Sequence, residues 1–197
     1  MTIYIITANF NSGIGLTATW ESLKNQSFKD FVWLIKDNYS TDGSLELALQ
    51  VEQSDNRVSV YITRDTGIYD ALNLLIDLID INSYYLTLGA SDVLFSSSLE
   101  LINQCCIANP LTDIFFFALY VGNKKILPMK FYGFLFGLRG CGSSHSVGTL
   151  IRSRLHLFYG KYDTSYTLLA DQLFIKTCIL RKASVFRSTS GHLEKLK

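Results

Sequence analysis

Apolar and polar positions alternate in blocks along the first half of the chain. Residues 2–7 are β-branched and aromatic, and a polar, glycine-containing stretch over 9–15 follows, which reads as a strand and its turn. Leu16, Trp20 and Leu23 then recur at helical spacing and predict an amphipathic helix over 16–24. Residues 31–35 read as a second, buried strand, after which Ser40 or Thr41 is placed to cap a helix over about 44–53. A third strand is expected over 58–62, a third helix over 68–79, and a fourth strand over 84–88 that ends in Gly89-Ala90-Ser91-Asp92. Strand alternating with helix in this way argues for an α/β fold, a Rossmann-like, mainly parallel central sheet with helices on both faces.

The second half is less regular. An apolar run covers Phe115 to Tyr120, and 167–180 reads as a helix with Asp171 near its start. Pro110 marks a joint between a first half of about 1–95 and a second of about 96–197, taken as subdivisions of a single domain over 1–197. Hydrophobic residues make up 48% of the 197 positions and charged residues 18%, the balance of a chain that folds around a core. A net charge of +1 argues against nucleic acid as a partner, for which a basic domain is expected.

The four cysteines, Cys105, Cys106, Cys141 and Cys178, include an adjacent pair and no CxxC spacing. They fit neither a zinc site nor a disulfide framework and read as reduced cytosolic thiols, mostly in the core. Met1 leads straight into Ile3 to Ile6 without a basic segment, so no signal peptide is expected. The longest apolar runs, 114–121 and 131–138, fall well short of the roughly 18 residues of a membrane span. A cytoplasmic chain, at most peripheral at the inner face of the membrane, is the expectation.

The candidate chemistry lies where apolar strands give way to polar loops, which is where an α/β sheet opens its ligand crevice. Asp92 follows the apolar strand Tyr84 to Leu88 and is suited to a hard cation such as Mg²⁺ or Mn²⁺, or else to capping the helix after Ser96-Ser97-Ser98. Asp37 ends the second strand and suits a base edge or a ribose hydroxyl; its alternative is an Asx turn. Asp65 and Asn73 flank Gly67, where backbone can approach a ligand closely, or where a helix simply starts. Tyr69 and Asp70 read equally well as solvated first-turn residues. His145 sits in a polar insertion, Gly142 to Ser146, and Asp171 has the apolar neighbours of a general base or the position of a helix N-terminal charge. Two acidic loops with no lysine after them suggest a nucleotide held through base, ribose and metal. GxSxG and the P-loop pattern are both missing from the sequence.

Taken together these segments resemble the family 2 glycosyltransferases, inverting enzymes with the GT-A fold. Ile5 to Asn11 is similar to that family's first strand and nucleotide loop, and Thr19 to Ser27 to its T-x-x-S-[LV]-x-x-Q-[ST] helix end. Asp37 to Gly43 resembles D-x-x-S-x-D-G, and Asp65 to Asn73 resembles D-x-G-I-Y-D-A-x-N, the most specific of the set. The likeness is clear over 2–95 and continues at His145 and from Gly160 to Asp171. It implies that Thr7, Asn9, Asp37, Asp65, Gly67 and Asn73 hold a nucleotide-sugar donor, usually a UDP-sugar, with His145 near the diphosphate or acceptor. It also implies that Asp92 carries Mg²⁺ or Mn²⁺ and that Asp171 is the catalytic base.

The resemblance therefore implies a hexosyltransferase acting with inversion on a saccharide or lipid-linked acceptor, in bacterial O-antigen, capsule or exopolysaccharide biosynthesis. Ser91 stands where many relatives carry Asp, and the chain ends soon after Ser190-Gly191-His192, where many relatives continue. These departures favour the alternative, a catalytically weak or inactive nucleotide-sugar-binding partner of an assembly complex. A nucleotidyltransferase would need basic residues in the 9–15 loop, which has none. The aromatic run Phe131 to Phe136, between Lys130 and Arg139, suits either contact with a lipid-linked acceptor at the membrane surface or ordinary core and lid.

Overall fold

A computed structural model describes residues 1–122, 124–128 and 146–196, with the side chains of 146 and 189–196 left aside. The chain opens β1 (Ile3–Asn9), α1 (Gly15–Lys24), β2 (Phe31–Asp37), α2 (Ser44–Ser54), β3 (Val58–Ile62), α3 (Ile68–Ile76) and β4 (Tyr84–Thr87). It continues through β5 (Val93–Leu94), α4 (Ser98–Ala108), β6 (Ile114–Val121) and β7 (Lys124–Ile126). After a single 3₁₀ turn at Ser146–Gly148 come β8 (Thr149–Arg152), α5 (Leu155–Tyr159), α6 (Ala170–Leu180) and β9 (Val185–Leu196).

The described strands form one nine-stranded sheet in the order β3-β2-β1-β4-β8-β6-β9-β5, with β7 paired to β6. From β3 to β4 every pairing is parallel. The direction then changes, because β8 runs antiparallel to both β4 and β6, and β9 returns parallel to β6. The sheet thus joins a parallel half to a mixed half at the β4–β8 boundary.

Strand residues alternate between the two faces, and each face has its own core. Ile3, Ile5, Trp33 and Phe115 pack with Leu16 and Trp20 of α1, Val51 of α2 and Leu99 of α4. Ile6, Leu34, Tyr85 and Phe116 pack instead with Leu72 and Leu75 of α3, Leu155 of α5, and Phe174 of α6. The helices therefore cover both faces, as the alternating pattern predicts. Among the described residues no helix is long and apolar enough to cross a membrane.

Several boundaries and caps differ from the sequence reading. Neither Ser40 nor Thr41 caps α2: Gly43 precedes it at φ +90°, and Asp42 Oδ1 accepts from the Ser44 N–H at 3.1 Å. α3 ends at Ile76 instead of 79, because Leu78 and Ile79 bond back to Leu75 and Ile76 in three-residue turns that tighten the exit. α6 starts at Ala170, not 167, since Leu169 is left-handed at φ +68°. Asp92 is no cap for α4. That helix starts at Ser98, and its Leu99 N–H donates to Gln26 Oε1 at 3.0 Å. Gln26 also donates to Ser22 and Phe95 carbonyls, tying the end of α1 to the start of α4.

Candidate active site

At the carboxyl ends of β1 and β2, short polar side chains close on one another. Asn9 Nδ2 donates to Asp37 Oδ2 at 2.5 Å and to Ser44 Oγ at 3.1 Å. The Asp37 carboxylate also accepts from the Ser40 N–H and hydroxyl, each at 2.8 Å. A buried carboxylate needs such donors to offset its lost hydration, and Asp37 is fully buried, with donors from β1 and from its own loop. Thr7 is likewise turned inward: its hydroxyl donates to the Leu88 carbonyl at 2.7 Å and accepts from the Trp33 indole at 2.9 Å. Asp37 and Thr7 thus shape the strand ends from beneath.

Above them a cleft of about 490 Å³ opens, lined by Asn9, Phe10, Asn38, Asp65, Gly67 and Ile68 among others. Asp65 forms its acidic wall and is held from three directions. The Lys36 ammonium, fully buried, pairs with Asp65 Oδ2 and donates to the Thr63 carbonyl at 2.6 Å. Asn38 Nδ2 and the Gly67 N–H donate to Asp65 Oδ1 at 3.3 and 3.0 Å. Gly67 sits at φ +147°, a backbone conformation that a β-carbon would strain. Lys36 was not among the expected site residues. It falls at a strand position between Ile35 and Asp37, and nothing in that local pattern points to its partner Asp65.

A second, smaller cleft of about 120 Å³ shares the Thr66–Ile68 rim and runs on to Tyr69, Asp70, Thr164, Tyr166 and Thr167. Here the two halves of the chain meet. The Tyr69 hydroxyl donates to Asp171 Oδ1 at 2.9 Å. Burial first, then the Asp171 carboxylate, push the Tyr69 hydroxyl up to about 12, against the pull of the Ala170 and Asp171 N–H groups. Tyr69 is buried, which corrects its reading as a solvated first-turn residue; Asp70 is engaged by the Thr66 N–H at 2.9 Å. Asn73 reaches the same seam, but its amide grips backbone. Nδ2 donates to the Tyr162 carbonyl at 2.8 Å and Oδ1 accepts from the Tyr162 N–H at 3.0 Å. Both polar atoms of Asn73 are so engaged, and it lines neither cleft.

Behind this seam lies a buried chain of polar rings. His156 Nδ1–H donates to the Gly160 carbonyl at 3.0 Å, so Nε2 accepts from the Tyr85 hydroxyl at 2.7 Å. Tyr85 in turn accepts from Tyr162 at 2.6 Å. Burial pulls His156 down to about 4, and its ring stacks on Phe174 at 4.1 Å.

Asp92 lies at the far end of β4. Its Oδ2 accepts from the Gly89 N–H at 3.0 Å, so it closes a tight turn after the strand. A β-carbon at Gly89 would stand 2.6 Å from that oxygen. Ser91, at φ +102°, packs against Gly15 at the start of α1. Among the described residues no three His, Cys, Asp or Glu side chains converge on a metal position. One carboxylate suits a hard divalent cation only when substrate phosphates complete its shell. His145, Cys141 and the 131–136 aromatic run lie outside the described residues. Cys106 and Cys178 are buried thiols that burial pushes up to about 12.

The comparisons with known proteins fit this geometry. Residues 4–100 match the family model of glycosyl transferase family 2. A stretch of 94 residues, 47% of this chain, is 32% identical to a PGL/p-HBAD biosynthesis glycosyltransferase of Mycobacterium tuberculosis. The match covers 36% of that protein, so the chain spans about a third of the length of the curated relatives it matches. The fold superimposes on S. aureus TarS 1–349 with a TM-score of 0.78 at 17% identity, covering 100% of this chain and 60% of that one. TarS has also been solved with UDP and with UDP-GlcNAc. The mannosyltransferase PcManGT from Pyrobaculum calidifontis, solved with GDP-Man and Mn²⁺, gives 0.74 at 13% identity over 97% of this chain and 55% of its own. The molecule has the α/β architecture of the GT-A glycosyltransferases, and its residues 4–100 match the model of glycosyl transferase family 2.

Proposed function

We propose that this chain transfers a hexose, with inversion, from a nucleotide sugar to a hydroxyl of a saccharide or lipid-linked acceptor. The observation that carries the reading is the shared Thr66–Ile68 rim. It walls the larger cleft on one side and leads, through Tyr69, to the Asp171 carboxylate on the other. The nucleotide occupies the larger cleft against Asn38, Asp65 and Gly67, with a UDP-sugar as the favoured donor. Asn9, Asp37 and Thr7 hold the strand ends that form its floor, and Asn73 holds the 160–163 segment; their role is support of the site.

Asp171 then serves as general base. The acceptor oxygen attacks the anomeric carbon opposite the diphosphate, its proton passes to the Asp171 carboxylate, and the sugar–diphosphate bond breaks with its electron pair on the diphosphate. Asp92 is the donor for Mg²⁺ or Mn²⁺, which supplies charge stabilisation to the leaving diphosphate when bound. A place in bacterial polysaccharide assembly, on the cytoplasmic side of the membrane, fits this chemistry. The second reading, a nucleotide-sugar-binding partner without transfer, is favoured by Ser91 in the place of a second carboxylate.

Thermal unfolding with UDP, GDP and ADP, with and without Mn²⁺, tests the reading, because a ligand of the native state raises its stability. A UDP-selective rise that needs Mn²⁺ and is lost in Asp92→Ala is expected. The same rise without turnover of any nucleotide sugar would give the second reading the lead.

A further inference from the structure

We infer that Tyr69 is a positioning residue for Asp171, fixing one carboxylate oxygen so that the other is presented to the acceptor hydroxyl. The inference rests on the reading of Asp171 as general base. Its own ground is the placement of one side chain on three structures at once. Tyr69 stands in the first turn of α3, beside Gly67 and Ile68 of the larger cleft, and lines the smaller cleft itself. Its hydroxyl meets Asp171 at 2.9 Å, in the first turn of α6 and 102 residues away. Its ring packs edge-on against Tyr162 with centroids 5.7 Å apart.

A helix begins with N–H groups that lack partners inside it, and α6 has no side-chain cap of its own. The Tyr69 oxygen lies beside that end of the helix, where the Ala170 and Asp171 N–H groups pull against the rise of its hydroxyl, while its proton goes to the carboxylate. The phenol is thus held at its ring by Tyr162 and at its hydroxyl by Asp171 Oδ1. The titratable groups around this pair are Tyr162 and Tyr85, both held neutral by burial, with Cys178 beyond them. Tyr69 therefore remains a donor across the working range of a carboxylate base. A base fixed in direction contributes to the rate only in the transition state, so its support is read in kcat and not in donor affinity.

The test compares wild type, Tyr69→Phe and Asp171→Asn on UDP-GlcNAc, UDP-glucose and GDP-mannose with Mn²⁺, reading nucleoside diphosphate release. Tyr69→Phe is expected to lower kcat about tenfold, with the donor KM and the nucleotide thermal shift unchanged. In parallel, NMR of the full chain with ¹³C-tyrosine placed at position 69 alone follows the Tyr69 phenol. In Asp171→Asn its titration midpoint is expected to fall by about one unit. This second measurement stands even where Tyr69→Phe fails to fold.

A wild-type kcat in Tyr69→Phe, a parallel loss of donor binding, or an unmoved Tyr69 signal in Asp171→Asn overturns the positioning role while leaving the transferase reading intact. Full release by Asp171→Asn, or none by wild type, overturns the reading of Asp171 itself, and the positioning role with it.

Discussion

At the ends of β1 and β2, Asn9, Asp37, Ser40 and Ser44 bond to one another inside a buried knot. At the seam between α3 and α6, half-buried Asp171 is met by Tyr69 from 102 positions away, and Asn73 grips Tyr162 across 89. The first assembly ties β1 to the segment after β2, with Asn9 reaching across 28 and 35 positions, and is closed; the second joins the two halves of the chain and faces an opening. A closed polar knot fixes backbone and resists chemistry, because its lone pairs are already taken. A carboxylate at a seam keeps an oxygen for a substrate, at the cost of depending on how two halves of the chain dock.

The contrast predicts where substitutions act. Asp171→Asn should have the largest effect, lowering nucleotide-sugar turnover by about 10²-fold or more while the UDP-dependent thermal shift and the urea midpoint stay near wild type. Asp37→Ala should do the reverse. It strips the acceptor from three buried donors and should lower stability by about 3 kcal/mol in urea unfolding. Equal losses of turnover and stability in both variants would erase the distinction.

The seam also carries a pH signature. Burial holds His156 at about 4 where 6.5 is usual, so between those values the unfolded chain takes up a proton that the native state refuses. Stability contributed by neutral His156 is complete above pH 6.5 and falls as the pH drops toward 4, by roughly 3 kcal/mol. Urea unfolding at stepped pH should show this slope, and His156→Gln should flatten it. The smallest effect is expected of Asn73→Ala, about 2 kcal/mol for two lost bonds to backbone. Its mark should be faster amide exchange over 160–163, with the β1–β2 knot unchanged.

What the sequence could tell followed the same division. The parallel half was readable because each strand and helix carries its own period: β3 lies at 58–62 as expected, and β1 and β2 differ only at their ends. The mixed half was not. β6 is apolar at every position from Ile114 to Leu119, since it is buried on both faces, and a run without alternation does not reveal its neighbours. Among the candidate residues, Asp65 and Gly67 line the cleft as their place between strand and helix suggested. Thr7, Asp37 and Asn73 look the same in sequence, yet their polar atoms are engaged within the protein, because residue type alone does not record which way a side chain turns. Lys36 and Tyr69 went unnoticed as site residues because their partners are distant in sequence.

The contact between Gly15 and Ser91 has a consequence for how such chains diversify. A β-carbon at 15 would land on the Ser91 hydroxyl, so the two positions are sterically coupled although 76 residues separate them. A lineage that enlarges either side chain must first move the start of α1 off the loop that carries Asp92, and with it the geometry of that carboxylate. Across related sequences the residues at 15 and 91 should therefore change together, and a larger residue at either should accompany a different arrangement around the acid at 92.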